Sequence, residues 1–282
     1  DIKQDTRLGR NGIKTTKLGS GVIMASNGYI ITNYHVVQDA DLIVVVLQSG
    51  QQYPAQLIGF DMLTDLAVLK VNGQNLPVIP QNEEITSLVG DVVLAIGNPL
   101  NLGQTVTQGI VSGTGRNGLS TTSYLEFLQM DAAINEGNSG GALVSLDGKL
   151  VGINSRKFTQ STPQLNIQGI FFAVPYQLVN KVMNKIITHG RVVRGWLGIS
   201  SNSSPSLKGF VIESLIDDGP AHIAGLKIGD LITKIDNIEI NNVTQALDII
   251  AETKPGHKLI FNIYRNKKAI EIEVTIGEFV PK

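Results

Sequence analysis

The sequence predicts a mainly β protein in two parts, and three observations carry that expectation. Its 282 residues leave room for roughly two domains at about 100–200 residues each. From Gly21 to Val174, short runs rich in Val, Ile and Leu recur between Gly, Asn and Ser turns, the signature of successive strands. Beyond one amphipathic stretch near residue 180 the character changes to a mixture of short strands and helix starts.

Residues 1–17 lack periodicity and read as a mobile polar loop. Five strands follow, at Gly21–Ala25, Tyr29–Asn33, Leu42–Leu47, Gln52–Gly59 and Leu66–Val71. A second set of six comes after Gly90-Asp91, at Val92–Ile96, Thr105–Ser112, Tyr124–Met130, Ala142–Ser145, Lys149–Ser155 and Gly169–Val174. Residues 176–188 place Leu178, Val179, Val182, Met183, Ile186 and Ile187 on one helical face. Pro175 precedes them and Gly190 supplies the stop. From Arg191 onward come Trp196-Leu197-Gly198-Ile199, a polar loop over 200–208, a strand at Phe210–Glu213, and the run Gly219-Pro220-Ala221 to Gly229-Asp230. A helix over 243–252 and strands at 259–264 and 270–276 complete it.

A net charge of −1 gives no electrostatic basis for binding nucleic acid or an anionic membrane. Without cysteine there is no disulfide framework, thiol nucleophile or thiolate metal site, and neither cofactor nor metal is expected. No apolar run approaches the ~18 residues of a membrane span.

The chemistry concentrates at Asn135-Glu136-Gly137-Asn138-Ser139-Gly140-Gly141. A serine between glycines has an exposed hydroxyl and amides able to converge on an oxyanion. A bare S-G-G is also simply a tight turn, so the partners decide. A serine nucleophile needs a base and a group that orients the base. Of the four histidines, His189 sits at a helix end, and His222 and His257 lie beside Gly-Pro and Pro-Gly turns. His35 stands on the shoulder of a strand, held yet reachable. Asp65 opens an apolar strand, where an unpaired charge is costly, whereas Asp61 and Asp91 read as solvated turn residues. His35, Asp65 and Ser139 follow the order of a His…Asp…Ser triad.

Thr32-Asn33-Tyr34-His35-Val36-Val37, Thr64-Asp65-Leu66-Ala67-Val68-Leu69-Lys70 and Gly137-Asn138-Ser139-Gly140-Gly141 resemble the three catalytic motifs of the HtrA (Deg) serine proteases. The likeness runs from Leu18 to the end of the chain. It implies a chymotrypsin-like double β-barrel over 1–175, a linker helix over 176–190 and a PDZ domain (α+β) over 191–282. It also implies that His35 is the general base, Asp65 its orienter and Ser139 the nucleophile. Gly137, Asn138 and Ser139 then form the oxyanion segment, with the Gly137 and Ser139 amides as donors. Two six-stranded barrels leave the first one strand short, so a strand upstream of Asp1 is expected.

Asn138 stands where digestive relatives carry an aspartate that receives a freed N-terminus, so activation by propeptide cleavage is not expected. The long loops 113–123 and 155–168 are the alternative means of ordering the site, with Arg116 as a coupling residue. Ile170, Phe171 and Phe172 are expected to wall an apolar primary pocket suited to small aliphatic residues. In the second domain Trp196, Leu197, Gly198 and Ile199 are expected to capture the carboxylate of a hydrophobic C-terminal peptide, which adds as a strand.

The resemblance implies an extended polypeptide substrate and a homotrimer. It further implies a periplasmic setting reached through an N-terminal inner-membrane anchor, and a stress-response role: cutting an anti-sigma factor-like membrane protein when C-termini of misfolded outer-membrane proteins dock. Two alternatives remain open, a general quality-control protease or chaperone of the same family and a proteolytically inert peptide-binding module.

Overall fold

The computed structural model describes residues 1–8, 13–81, 86–98, 103–116, 127–157, 169–202 and 208–280. They divide into two compact units, Asp1–Val192 and Val193–Lys282. The first unit opens with β1 (Ile2–Leu8), β2 (Ile13–Gly19), β3 (Val22–Ile23), β4 (Tyr29–Asn33) and the one-turn α1 (Tyr34–Val37). Then come β5 (Leu42–Val46), β6 (Gln52–Asp61) and β7 (Leu66–Val71). These strands form a seven-stranded sheet in the order β2-β1-β5-β6-β7-β4-β3.

That order corrects the expectation of a mobile loop and a missing first strand. β1 pairs antiparallel with β5, Ile2 opposite Val45 and Gln4 opposite Ile43, in the place assigned to a strand upstream of Asp1. The alternation was hidden because the inward residues of β1 are Ile2 and Gln4, a polar side chain that is buried like its neighbour. Its Nε2 donates to the Gln38 carbonyl at 2.6 Å, giving the buried amide nitrogen a partner.

The second half of this unit is a closed six-stranded barrel of β8 (Val92–Gly97), β9 (Thr105–Arg116), β10 (Phe127–Met130), β11 (Ala142–Ser145), β12 (Leu150–Lys157) and β13 (Phe171–Pro175). Each sheet has its own apolar interior. A third cluster joins Val22, Ile31 and Leu66 of the first sheet to Phe127, Val144 and Phe172 of the barrel, and both to Val179, Val182 and Ile186 of α2 (Tyr176–His189). The helix therefore packs within the first unit, its apolar stripe covering the seam between sheet and barrel. It stops at Gly190, whose φ of 75° is left-handed and whose N–H returns to the Ile186 carbonyl at 2.7 Å.

The second unit comprises β14 (Gly195–Trp196), β15 (Ile199–Asn202), β16 (Phe210–Leu215), α3 (Pro220–Ile223), β17 (Leu231–Ile235), β18 (Ile238–Glu239), α4 (Val243–Glu252), β19 (Lys258–Arg265), β20 (Lys268–Thr275) and β21 (Gly277–Glu278). Its main sheet runs β15-β16-β17-β19-β20, with β15 at one edge, and β14 pairs with β21. Asn242 caps α4 by accepting the Gln245 amide at 2.9 Å, and the Gln245 side chain accepts the Asn241 amide at 2.9 Å. Its core gathers Leu197, Phe210, Ile232, Ala246, Ile250 and Phe261.

In this unit Asp230 is a buried carboxylate held in an ion pair. Arg265 grips Asp230 with both prongs, Nε to Oδ1 and Nη2 to Oδ2, each at 2.7 Å. The Lys227 amide donates to the same carboxylate at 2.8 Å. Burial by itself would raise the Asp230 carboxyl, but the Arg265 and Lys227 bonds and their charges outweigh it and hold the group below the usual carboxylate range. A depressed folded value contributes stability that is fully present above the unfolded value of about 3.9 and is lost as pH falls through the folded one. Arg265→Met strands the carboxylate and is expected to destabilise this unit by about 3–5 kcal/mol. Urea unfolding followed through Trp196, the only tryptophan of the chain, measures it.

Candidate active site

The three predicted residues arrive from separate turns. β4 ends at Asn33 and α1 begins at once, so His35 lies in the first turn of a short helix rather than on the strand itself. Asp65 directly precedes β7 and has a φ of 54°, a left-handed conformation that Asp tolerates better than most residues. This backbone turns its carbonyl and carboxylate toward the same neighbours. The carbonyl accepts from Asn33 Nδ2 and from the Tyr34 amide, each at 2.9 Å. The carboxylate accepts the His35 amide on Oδ1 at 3.0 Å and His35 Nδ1 on Oδ2 at 2.7 Å. Asp65 is nearly enclosed, at 8% side-chain exposure, while His35 keeps 47%. With Nδ1 donating to the carboxylate, Nε2 is left as the acceptor that a general base needs.

Asp61 is not the solvated turn residue the sequence suggested. It is buried, with Oδ2 accepting the Thr64 hydroxyl at 2.9 Å, and so shapes the turn that carries Asp65. Asp91 is exposed and accepts the Leu88 amide within its own turn at 2.8 Å. His222 takes the Asp218 amide on Nδ1 at 3.0 Å, a local contact of the second unit.

The serine turn is pressed against the other side of the seam. A Cβ on Gly140 would collide with the Ser20 carbonyl and the Thr32 hydroxyl and stand 3.1 Å from the Asn33 amide nitrogen. Gly140 also has a φ of 82°, so both space and conformation exclude a side chain there. The turn thus meets the chain at Asn33, two residues before His35. Ser139 Oγ donates to the Ser155 carbonyl at 3.0 Å and makes no hydrogen bond to His35 among the described residues. The His35–Asp65 pair is engaged, whereas the Ser139 hydroxyl rests on another acceptor.

Of the three amides of the oxyanion segment, that of Asn138 is spent on the Asn135 carbonyl at 3.0 Å. The Gly137 and Ser139 N–H groups have no acceptor among the described residues, which leaves them available to a developing oxyanion. The Asn138 side chain is buried against Gly97 with its oxygen unpaired, an environment that suits an uncharged amide and not a carboxylate.

Phe171 and Phe172 are both buried. Alternation along β13 sends Phe171 into the barrel interior and Phe172 onto Phe127, at 5.9 Å between ring centroids. Ile170 is half-buried and is the member of that set left near the surface. Arg116 ends β9 opposite Phe127, its guanidinium beside Gly113. Most of the two loops singled out, residues 117–123 and 158–168, lies outside the described residues.

In the second unit Leu197 is core, Trp196 packs over Gly198, and Gly198 has a φ of 80°. The Leu197 and Gly198 amides have no acceptor among the described residues, and β15 begins at the next residue with one edge of its sheet open. Free amides beside an open strand edge are what a carboxylate-terminated extended peptide requires. Sequence reasoning missed Ser20, Thr32, Asn33 and Asn154, all buried and polar. The available signal was a polar side chain interrupting an apolar strand.

Residues 19–153 match the model of the trypsin-like peptidase domain and 195–276 that of the PDZ domain. The chain is 48% identical over 280 residues to the serine endoprotease DegS of Escherichia coli K12, covering 95% of this chain and 79% of that protein. The chain belongs to the HtrA-type serine endoproteases. A Yersinia pestis serine endoprotease superposes with a TM-score of 0.81 at 46% identity, over 99% of this chain and 94% of that one. The HtrA-type protease AlgW with tripeptide gives 0.88 at 42% identity, over 100% and 93%. A probable periplasmic DegP-like endoprotease of Brucella suis is 40% identical across 92% of this chain, which spans 52% of that relative. No helix among the described residues is long and apolar enough to cross a membrane.

For an HtrA-type enzyme with this geometry, Asp65→Asn is expected to lower kcat by about 10⁴-fold through the wrong imidazole tautomer. Folding should survive, because Asn33 and Tyr34 bind the Asp65 carbonyl rather than its side chain. Hydrolysis rate and melting temperature, measured together, check both halves.

Proposed function

We propose that this endopeptidase is a periplasmic stress sensor whose cleavage is switched on by peptide binding at its PDZ domain. His35, Asp65 and Ser139 are its triad, and the Gly137 and Ser139 amides its oxyanion donors. The observation that supports the reading best is the Ser139 hydroxyl resting on Ser155 while the His35–Asp65 pair is already engaged. Turning on such a site requires only that the serine turn and its neighbours change partners, and a ligand can drive that by its differential affinity for the two arrangements.

The occupant of the PDZ groove is a hydrophobic C-terminal peptide exposed by misfolded outer-membrane proteins, bound at Trp196, Leu197, Gly198 and Ile199. The substrate is an anti-sigma factor-like membrane protein cut after a small aliphatic residue, a choice supported by the apolar surroundings of Ile170. The working form is a homotrimer held at the inner membrane by a segment preceding these residues. A general quality-control protease is the second reading, favoured by the likeness to the DegP-like endoprotease.

Cleavage of a Val-containing extended peptide, with and without a hydrophobic C-terminal peptide, tests the switch. Stimulation of about tenfold or more is expected, within the usual range of coupling between two sites. Strong cleavage that ignores the peptide would transfer support to the general protease. Arg116→Ala should lose the stimulation while binding the activating peptide as before, by fluorescence titration. Stimulation unchanged in that variant removes Arg116 from the coupling.

A further inference from the structure

We propose that Ser20 is a positioning residue for catalysis, a strut from the first sheet that sets the direction of the Ser139 amide in the oxyanion hole. This rests on the reading of Ser139 as nucleophile and of the Gly137 and Ser139 amides as donors.

Ser20 lies in the link between β2 and β3 and is 4% exposed. Its hydroxyl donates to the Gly137 carbonyl at 2.7 Å across the seam and accepts the Asn98 amide at 3.0 Å. The proton has one place to go: Asn98 N–H is itself a donor, so the hydroxyl hydrogen must point at Gly137. The Ser20 amide donates to the Ser139 carbonyl at 2.9 Å. The Ser20 carbonyl is in turn held by the Thr32 hydroxyl at 2.7 Å.

These contacts matter because of which peptide planes they hold. The Ser139 N–H belongs to the plane joining residues 138 and 139. The plane before it is pinned by Ser20 Oγ on the Gly137 carbonyl and by the Asn135 carbonyl on the Asn138 amide. The plane after it is pinned by the Ser20 amide on the Ser139 carbonyl and by the Asn154 carbonyl on the Gly140 amide at 2.8 Å. Ser20 therefore supplies one anchor on each side of the plane that carries the donor. Of the two, the hydroxyl can be removed by substitution.

Ser20→Ala in the full chain, assayed with activating peptide present, is expected to lower kcat roughly 10- to 100-fold with KM within about threefold. Misdirecting one oxyanion donor costs less than deleting it. Affinity for a peptide boronate, which forms a tetrahedral adduct, should fall in step with kcat, while binding of the same peptide without the boronate does not. Ser20→Thr, which keeps the hydroxyl, should recover most of the rate. A Ser20→Ala enzyme with kcat within twofold of the parent overturns the proposal. So does a loss that Ser20→Thr fails to relieve, or one shared equally by peptide affinity.

If Ser20→Ala does not fold, Thr32→Val releases the Ser20 carbonyl but keeps the hydroxyl. A selective fall in kcat then supports the strut, and an unchanged kcat overturns it. Ser139→Ala separates the two levels of inference. If that variant stays active, the nucleophile assignment fails; if it is inert while Ser20→Ala is normal, only the strut fails.

Discussion

The first unit depends on one close approach, in which the backbone at Gly140 lies against Ser20 and Thr32 with no side chain between. Packing interiors tolerate neither voids nor overlap of even a methyl group, so this contact sets how near the barrel can come to the sheet. It also sets how near the serine turn comes to the strand that delivers His35. The surrounding apolar cluster, covered by α2, supplies the area that holds the halves together. The glycine supplies the distance at which chemistry across them becomes feasible.

Within that frame the electrostatics are economical. One carboxylate, enclosed between Asn33, Tyr34 and His35, is hydrogen-bonded by a backbone amide and an imidazole. Its left-handed backbone is a local cost of the kind that clusters at functional sites. Buried Asp61 and Thr64 over-determine the turn that imposes it. Under the proposed switch the exchange falls to the Ser139 hydroxyl, which rests on the Ser155 carbonyl.

The second unit uses the same physics for recognition instead of reaction. Its sheet leaves β15 unpaired on one side, normally a liability for a soluble protein. Among the described residues the Leu197 and Gly198 amides at the head of that strand have no acceptor, which is what the proposed capture of an anionic chain end would use. The Asp230–Arg265 pair ties the β19–β20 hairpin to the turn after α3 through the Gly225 carbonyl as well, at 2.9 Å.

Much of this was legible in the residues alone. The strand runs of the sheet and barrel, the helix ended by Gly190, and the pairing of His35 with Asp65 rest on local patterns and on the cost of an isolated buried charge, which a sequence records directly. Three things were not. β1 was hidden because Gln4 fills an inward position, where its nitrogen donates to a carbonyl from another element. Phe171 and Phe172 read alike in the sequence, but adjacent strand residues face opposite ways, and only the barrel decides what lies on each side. Ser20 had no signature, because a hydroxyl reaching 117 residues along the chain has no period or spacing to betray it. Composition and pattern determined which elements form and which groups are chemically able; the closing of two sheets on one another determined which of those groups meet.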